Sequence, residues 1–282
     1  MSRGLVLVHA HPDDEALGTG GTIAKYAAEG VHVCLVTCTN GEVGEIAEVP
    51  ELGTIEEIRP RLGEVRRLEL EAACRELGGD APPGVPGGAV DLRMLGYHDS
   101  GMDGTPENDA PIAFVNQDLD EVAAKIVGIV REVGAQVLVT YDEYGLYGHP
   151  DHIRAHEAAM RAAEIAGVAK VYYIAFPRSL MRMGHDAAAE MGLSEEFFTD
   201  DDIERIGTPD EDIAAVIDCA DFVGHKFRAL EAHRTQLGTT QMFLQIPGEF
   251  RVAFGNEHYV LARSSGPRSD GIESDLFEGV DA

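Results

Sequence analysis

The sequence predicts an α/β protein with a doubly wound, mostly parallel sheet that carries helices on both faces. Short apolar runs alternate with helical patterns over the first 175 residues, as they do in parallel sheets wrapped by helices. Two motifs rich in histidine and aspartate directly follow two of these runs, where open α/β sheets hold their sites. A chain of 282 residues suits one large domain of this class with a smaller C-terminal extension.

Five strands are predicted from short apolar runs, most of them rich in valine, leucine and isoleucine. Four helices are predicted between them from apolar residues at helical spacing, such as the stripe of Val122, Ile126 and Val130. In chain order the predicted strands cover residues 5–8, 32–37, 91–95, 137–140 and 170–175, and the predicted helices cover 20–29, 56–77, 118–133 and 152–166.

The pattern loosens after the fifth strand, and this change divides the chain into three predicted parts. Residues 1–176 form the domain that contains both motifs, and residues 177–263 complete its pocket. Within that second part we expect a helix at 221–236 and a late strand at 258–262. Residues 264–282 are polar and contain glycine, so we expect a flexible tail there.

Two long loops, residues 39–55 and 96–116, interrupt the alternation of strands and helices. Both follow the carboxyl end of a strand, where long loops usually build the substrate side of a site. We expect both loops to contact the substrate. The alternative is that they are surface insertions without a role in the site. The methionine-rich stretch 180–191 is a candidate lid.

The formal net charge of −28 disfavours two classes of partner, because nucleic acids and anionic membrane surfaces both repel an acidic protein. No apolar run is long enough to span a bilayer and no signal peptide is visible, so we expect a cytoplasmic protein. Cys34 and Cys38 lie roughly 13 Å apart on one predicted strand, too far for a disulfide. We expect the four cysteines to be buried, reduced thiols.

The two motifs are His11-Pro12-Asp13-Asp14-Glu15 and His149-Pro150-Asp151-His152. If the sheet has the common order 3-2-1-4-5, the first and fourth strands are neighbours and the motifs that follow them meet across one crevice. Helix capping explains each motif when it is taken alone. Capping does not require three histidines, so the sequence favours a metal site.

Two histidines and one carboxylate with an open coordination position suit a catalytic zinc ion, whose bound water attacks near neutral pH. Iron(II) binds the same ligand set, so the identity of the metal stays open. Asp13 and Asp14 are adjacent and cannot easily point the same way, so one can bind the metal while the other acts as general base. His149 can then stabilise an oxyanion while Asp151 fixes its tautomer.

These motifs, in this order and after these strands, resemble those of the PIG-L/LmbE-like zinc N-deacetylases. The resemblance covers residues 4–175 and resumes at 231–236 and 257–262. It implies a Rossmann-like sheet, a bound zinc ion, and hydrolysis of an N-acetyl group from an amino sugar.

The resemblance also implies roles for individual residues. Asp13 is the implied general base and returns a proton to the departing amine. His149 stabilises the transition state and Asp151 supports it. The implied metal ligands are His11, Asp14 and His152.

Within this family the chain most resembles the enzymes of mycothiol metabolism, a deacetylase of N-acetylglucosaminyl-inositol and an amidase of mycothiol S-conjugates. By likeness to the deacetylase, Tyr147 polarises the substrate carbonyl, and Arg66 and Asp99 bind sugar or inositol hydroxyls. The amidase carries a lysine where this chain has Gly18, which favours the deacetylase. The stretches that carry the likeness include Asp99-Ser100-Gly101-Met102, Tyr147-Gly148-His149 and Glu257-His258-Tyr259-Val260-Leu261.

The chain departs from the mycothiol deacetylases at two places. Gly96-Tyr97-His98 stands where an arginine-rich stretch is expected, and Tyr144 stands where a small residue is usual. His98 is a candidate substrate contact on this basis. His233 belongs to a helical motif shared with both mycothiol enzymes, and it either lines the site or packs in the core.

The leading hypothesis is a metal-dependent N-deacetylase of N-acetylglucosaminyl-inositol or a similar glucosaminide. An S-conjugate amidase and a deacetylase of another acetylated glycoside or natural product are the enzymatic alternatives. A binding protein without turnover is disfavoured, because such a protein does not need a base such as Asp13 beside the metal. A nucleotide-binding protein is disfavoured because the sequence lacks GxGxxG and P-loop motifs. We expect the protein to bind a small amino-sugar substrate and to bind neither nucleic acid nor a membrane. The sequence does not decide whether it forms a homo-oligomer.

Overall fold

The computed structural model describes residues 3–78, 89–190, 199–238, 244, 254–266 and 271–280. These residues form a seven-stranded sheet of order β3-β2-β1-β4-β5-β7-β6. Strands β1 to β5 are parallel, and β7 and β6 are antiparallel to the strands beside them. The strands are β1 (Gly4–His9), β2 (His32–Thr39), β3 (Asp91–Tyr97), β4 (Val137–Thr140), β5 (Lys170–Ala175), β6 (Ala215–Asp218) and β7 (Asn256–Ser264).

The helices fall into two packed groups. Helices α1, α3 and α9 contact one another, and α4 packs on α6. The chain passes along the sheet in one direction from β1 to β3 and in the opposite direction from β3 to β5. Because connections between parallel strands are right-handed, the helices of these two stretches lie on opposite faces of the sheet. The helices are α1 (Asp14–Ala28), α2 (Ile55–Ile58), α3 (Leu62–Gly78), α4 (Leu119–Val133), α5 (Gly145–Gly148), α6 (Pro150–Ala166), α7 (Arg178–Glu190), α8 (Asp200–Ile206) and α9 (Val223–Ala232).

The predicted fold class and the order of the first five strands are confirmed. Strands β1 and β4 are buried along their whole length, as expected of central strands covered on both faces. The helix predicted at 56–77 is divided, because a 3-10 turn at Arg59–Arg61 separates α2 from α3. Pro60 has no backbone N–H and cannot continue an α-helical ladder.

Helix α1 begins at Asp14, six residues before the predicted start at residue 20. The glycines at 18, 20 and 21 lie inside the helix. A Cβ atom on Gly21 would lie 2.6 Å from Cβ of Cys219, and one on Gly18 would lie 3.1 Å from Ile174. The glycines therefore allow α1 to approach its neighbours closely.

The chain after residue 176 extends the same sheet. Strand β7 contains the predicted strand at 258–262, and the four-residue strand β6 was not predicted. The helix predicted at 221–236 is α9 with a 3-10 turn at each end. Helix α7 covers most of the candidate lid, whose residue 191 lies outside the described residues.

Residues 271–280 pack on the domain, contrary to the expected flexible tail. Leu276 and Phe277 are buried in the core. The Glu273 carboxylate is buried and accepts a hydrogen bond from Lys170 Nζ at 2.7 Å. In the described part of the chain, no helix combines the length and apolar character needed to cross a membrane.

We expect Gly21→Ala to destabilise the protein by about 1–3 kcal/mol, because the new methyl group overpacks the contact with Cys219. The matched control is Gly128→Ala in α4, where a Cβ atom would meet nothing within 4 Å. Alanine there should stabilise the helix by about 0.5–1 kcal/mol. Urea unfolding curves measure both changes, and equal effects of the two substitutions would contradict the packing argument.

Candidate active site

The two motifs meet at the carboxyl edge of the sheet. His11 follows β1, and His152 lies in the first turn of α6, which follows β4. Because β1 pairs directly with β4, His11 Nδ1 and His152 Nε2 lie only 3.2 Å apart. The expectation that the motifs share one crevice is confirmed.

His11, Asp14 and His152 form a compact set of ligand atoms. Asp14 Oδ2 lies 3.4 Å from His11 Nδ1, and Asp14 Oδ1 lies 3.4 Å from His152 Nε2. Bonds of 2.0–2.1 Å at tetrahedral angles place ligand atoms about 3.3–3.4 Å apart. The three side chains therefore fit a tetrahedral divalent metal ion with one position left for water or substrate.

Buried hydrogen bonds orient these ligands. His11 Nε2 lies 3.2 Å from Asp151 Oδ2, which leaves Nδ1 for the metal. The Tyr141 hydroxyl donates to Asp14 Oδ2 at 2.7 Å, and its ring stacks on His152 at a centroid distance of 4.2 Å. Such supporting partners fix the tautomer and direction of a metal ligand.

A second group of metal-binding side chains surrounds the other nitrogen of His11. Asp99, His149 and Asp151 offer atoms that lie with His11 within 4.8 Å of one another. The Asp151 carboxylate in this group already accepts hydrogen bonds from the N–H and hydroxyl of Ser100. We interpret this group as the support of the first site, because His11 Nε2 faces a carboxylate as a metal-bound imidazole usually does.

Asp13 has an unusual backbone conformation. Its φ of 137° and ψ of −26° lie outside the regions that side chains favour, at a cost of about 1–3 kcal/mol. The Asp13 carboxylate lies 3.1 Å from Arg66 Nη2. Burial raises the pKa of Asp13 to about 6, and Arg66 partly opposes that shift.

Arg66 and Asp99, the predicted substrate-binding residues, are both only 3% exposed. Arg66 donates to the carbonyls of Gly41 and Pro12, each at 2.7 Å, and thereby supports Asp13 and the loop after β2. Asp99 Oδ1 accepts from the N–H of Gly101 at 2.8 Å. Direct contact of either residue with substrate stays a prediction.

His149 is the N-cap of α6, and its Nδ1 accepts a hydrogen bond from the backbone N–H of Asp151 at 3.1 Å. This bond places the proton of a neutral ring on Nε2, where it can be donated. Burial and the neighbouring His11 and His152 lower the pKa of His149 to about 3. Asp151, which was expected to fix the tautomer of His149, thus contacts that ring through its backbone N–H.

Tyr147 lies beside the ligands, with its hydroxyl 3.5 Å from His152 Nε2 and its side chain 38% exposed. Burial and the nearby Asp14 raise its pKa above the ordinary range, so the hydroxyl keeps its proton. Tyr144 is more exposed. His98 turns Nδ1 toward the Asp99 carbonyl at 2.9 Å, while its Nε2 lies 3.6 Å from Glu42.

His233 does not line the open side of the site. It is fully buried, and its Nε2 lies 2.6 Å from Glu15 Oε1, while Glu15 Oε2 accepts the backbone N–H of Asp13 at 3.0 Å. Burial lowers the pKa of His233, but the Glu15 carboxylate outweighs this and raises it. Gly18 is half-buried in α1, and the Cβ atom of any other residue at this position would lie 3.1 Å from the side chain of Ile174.

The sequence did not assign roles to Ser100, Tyr141 or Glu15. Ser100 and Tyr141 follow the carboxyl ends of β3 and β4, so their position was a usable signal. Glu15 belongs to the first motif, but its link to His233 joins residues 218 positions apart. No local pattern carries that information.

Comparison with known proteins identifies the family. The family model described as "PIG-L: GlcNAc-PI de-N-acetylase" matches residues 6–163. A relative from Geodermatophilus obscurus, named 1D-myo-inositol 2-acetamido-2-deoxy-alpha-D-glucopyranoside deacetylase, is 44% identical over 99% of this chain and 98% of its own length.

Two solved structures share the fold at low sequence identity. N,N'-diacetylchitobiose deacetylase from Pyrococcus horikoshii is 20% identical, with a TM-score of 0.54 over 92% of this chain and 84% of its own. The 4-carboxy-2-hydroxymuconate hydratase from Pseudomonas putida KT2440 is 18% identical, with a TM-score of 0.58 over 95% of this chain and 99% of its own. Since a deacetylase and a hydratase match almost equally well, the fold alone does not define the reaction. The family model and the full-length relative do define the family, and the chain belongs to the PIG-L family.

Proposed function

We propose that this protein is a metal-dependent N-deacetylase that hydrolyses the acetamide of N-acetylglucosaminyl-inositol to acetate and the free amine. The observation that carries the proposal is the tetrahedral spacing of His11, Asp14 and His152, next to a second aspartate, Asp13, that pairs with Arg66. A relative that matches the chain from end to end bears the name of this deacetylase.

His11, Asp14 and His152 would hold the metal, and zinc suits two imidazoles and one carboxylate. Iron(II) is the alternative, because it accepts the same ligands. A divalent ion at this position supplies Lewis-acid activation of water and of the amide carbonyl. Asp151 and Tyr141 keep His11 and Asp14 in the orientation that binding requires.

Asp13 acts as the general base and then as the general acid. Its carboxylate removes a proton from the attacking water, whose oxygen bonds to the acetyl carbon. When the carbon–nitrogen bond breaks, Asp13 returns the proton to the leaving amine. The side chain of Arg66 keeps the carboxylate in place during both transfers.

His149 and Tyr147 supply hydrogen bonds to the carbonyl oxygen as negative charge develops on it. The neutral His149 ring donates through Nε2, because Nδ1 is occupied by the Asp151 N–H. Tyr147 donates through a hydroxyl that keeps its proton at neutral pH. The His149 donor is oriented before the reaction by the Asp151 N–H, which is the condition under which such bonds lower a barrier most.

Glu42, His98 and Asp99 form a polar cluster next to His11, and this cluster suits a substrate rich in hydroxyl groups. These residues come from the loops after β2 and β3. We assign these loops and Arg66 to contact with the sugar and inositol rings of the substrate. The acidic charge disfavours nucleic acid as a partner. Four buried cysteines without disulfides suit a cytoplasmic protein.

We expect His152→Ala to lose the bound metal, since it removes one of three protein ligands. The stoichiometry after zinc loading and desalting should fall from about one ion per chain to near zero. The matched control is His156→Ala, one turn further along α6, which should keep its zinc. Elemental analysis measures both, and normal zinc content in the His152 variant would remove it from the ligand set.

We expect Asp13→Asn to keep its metal and lose turnover by about 10²–10⁴-fold, because an amide cannot accept the proton. Release of primary amine from N-acetylglucosaminyl-inositol measures turnover. Asp201→Asn, at an exposed position of α8, serves as the control and should match the wild type. Undiminished amine release by the Asp13 variant would exclude this residue as the base.

We expect His149→Asn to lower kcat by about 10²–10³-fold with unchanged zinc content, because it removes the Nε2 donor. Asparagine still caps α6, so stability should stay near that of the wild type. His149→Ala should lose the same activity and in addition about 1 kcal/mol of stability. If the asparagine variant turns over normally, His149 acts only as a helix cap.

A further inference from the structure

The peptide between Pro12 and Asp13 is bound at both of its polar ends. Arg66 Nη2 donates to the Pro12 carbonyl at 2.7 Å, and the Asp13 N–H donates to Glu15 Oε2 at 3.0 Å. The orientation of this peptide sets the φ of Asp13, which is 137°. The two hydrogen bonds together therefore hold an unfavourable backbone and the direction of the side chain that it carries.

Glu15 is in turn held by a residue from the C-terminal part of the chain. Its Oε1 lies 2.6 Å from Nε2 of His233, which directly follows α9. Both side chains are completely buried. No other cationic group is in hydrogen-bond contact with Glu15 in the described ranges, so His233 is its counterpart there.

The pair is poorly explained as a device for stability alone. Nδ1 of His233 is buried and has no hydrogen-bond partner among the residues that the structure describes. Two apolar side chains of similar volume would fill this space without an unpaired nitrogen or a buried charge. Buried polar groups that do not favour stability commonly serve a functional site. This pair contacts the site through the hydrogen bond from the Asp13 N–H to Glu15.

We propose that Glu15 and His233 are positioning residues for the general base. His233 fixes the Glu15 carboxylate, and Glu15 fixes the backbone N–H of Asp13, so the Asp13 carboxylate stays in its position beside Arg66. The inference rests on the proposed function, because it takes Asp13 to be the base. Neither positioning residue touches the substrate.

The first test is Glu15→Gln, which keeps the size of the side chain and removes its charge. We expect kcat to fall about 10–100-fold, with KM within about twofold of wild type and with full metal content. The matched control is Glu273→Gln, which alters another buried pair at the amino end of β5. Its kcat should stay within about twofold of wild type, although its stability falls.

Three results of this test would overturn the proposal. An unchanged kcat of the Glu15 variant would leave the pair without a role in the reaction. Loss of metal would show that Glu15 acts on Asp14 rather than on Asp13. In the Asp13→Asn background we expect Glu15→Gln to cause no further loss of kcat. If the losses of the two single variants instead multiply in the double variant, Glu15 and Asp13 act independently.

A comparison at His233 separates donation from packing. Glutamine at this position can still donate to Glu15, so His233→Gln should retain most of the wild-type kcat. His233→Leu fills similar space without a donor and should reproduce the effect of Glu15→Gln. Equal activity of these two variants would contradict the proposed role of His233.

Amide hydrogen exchange at Asp13 tests the inference without an activity assay. In metal-loaded protein the Asp13 N–H should exchange at least about tenfold faster in Glu15→Gln and His233→Leu than in wild type. Unchanged exchange would refute the positioning role. If the wild-type protein releases no amine from N-acetylglucosaminyl-inositol, the proposed function fails, and the exchange rates still decide whether the pair holds Asp13.

Discussion

The pairing of β1 with β4 is the constraint on which the site depends. Leu5 lies opposite Val137 and Leu7 opposite Val139, in two strands that are buried along their whole length. A shift of one residue in this register would turn every buried side chain to the other face, so the core enforces the alignment. The alignment carries the residues after β1 and β4 to one edge of the sheet, where two histidines can share a metal.

Several buried carboxylates gather around that edge, and their partners make this arrangement tolerable. A buried carboxylate without a partner would cost several kcal/mol, so each needs a donor or a positive charge. The partners come from different parts of the chain, which ties the site to the whole fold. The pairs are Asp13 with Arg66, Asp14 with Tyr141, Glu15 with His233, and Asp151 with Ser100. A bound divalent cation would balance the negative charge that these pairs leave.

The C-terminal part of the chain supports the site from behind. Glu257 in β7 accepts hydrogen bonds from the N–H groups of Gly21 and Thr22 in the middle of α1, and Lys226 of α9 donates to its carboxylate at 2.8 Å. The first turn of the same helix presents Asp14 to the metal site. Residues 177–263 were expected to complete the substrate pocket; the contacts described instead support α1, and contact with substrate stays a prediction.

The sequence by itself determined the first five strands and, with the order that is common in doubly wound sheets, the edge where His11 and His152 meet. These features follow from local apolar patterns and from the rule that parallel strands share a carboxyl edge. Only the tertiary structure decided the strained backbone of Asp13, the backbone bond that sets the His149 tautomer, the packed segment 271–280 and the Glu15–His233 pair. Each of these depends on hydrogen-bond geometry or on contacts between distant residues, and neither leaves a periodic signal along the chain.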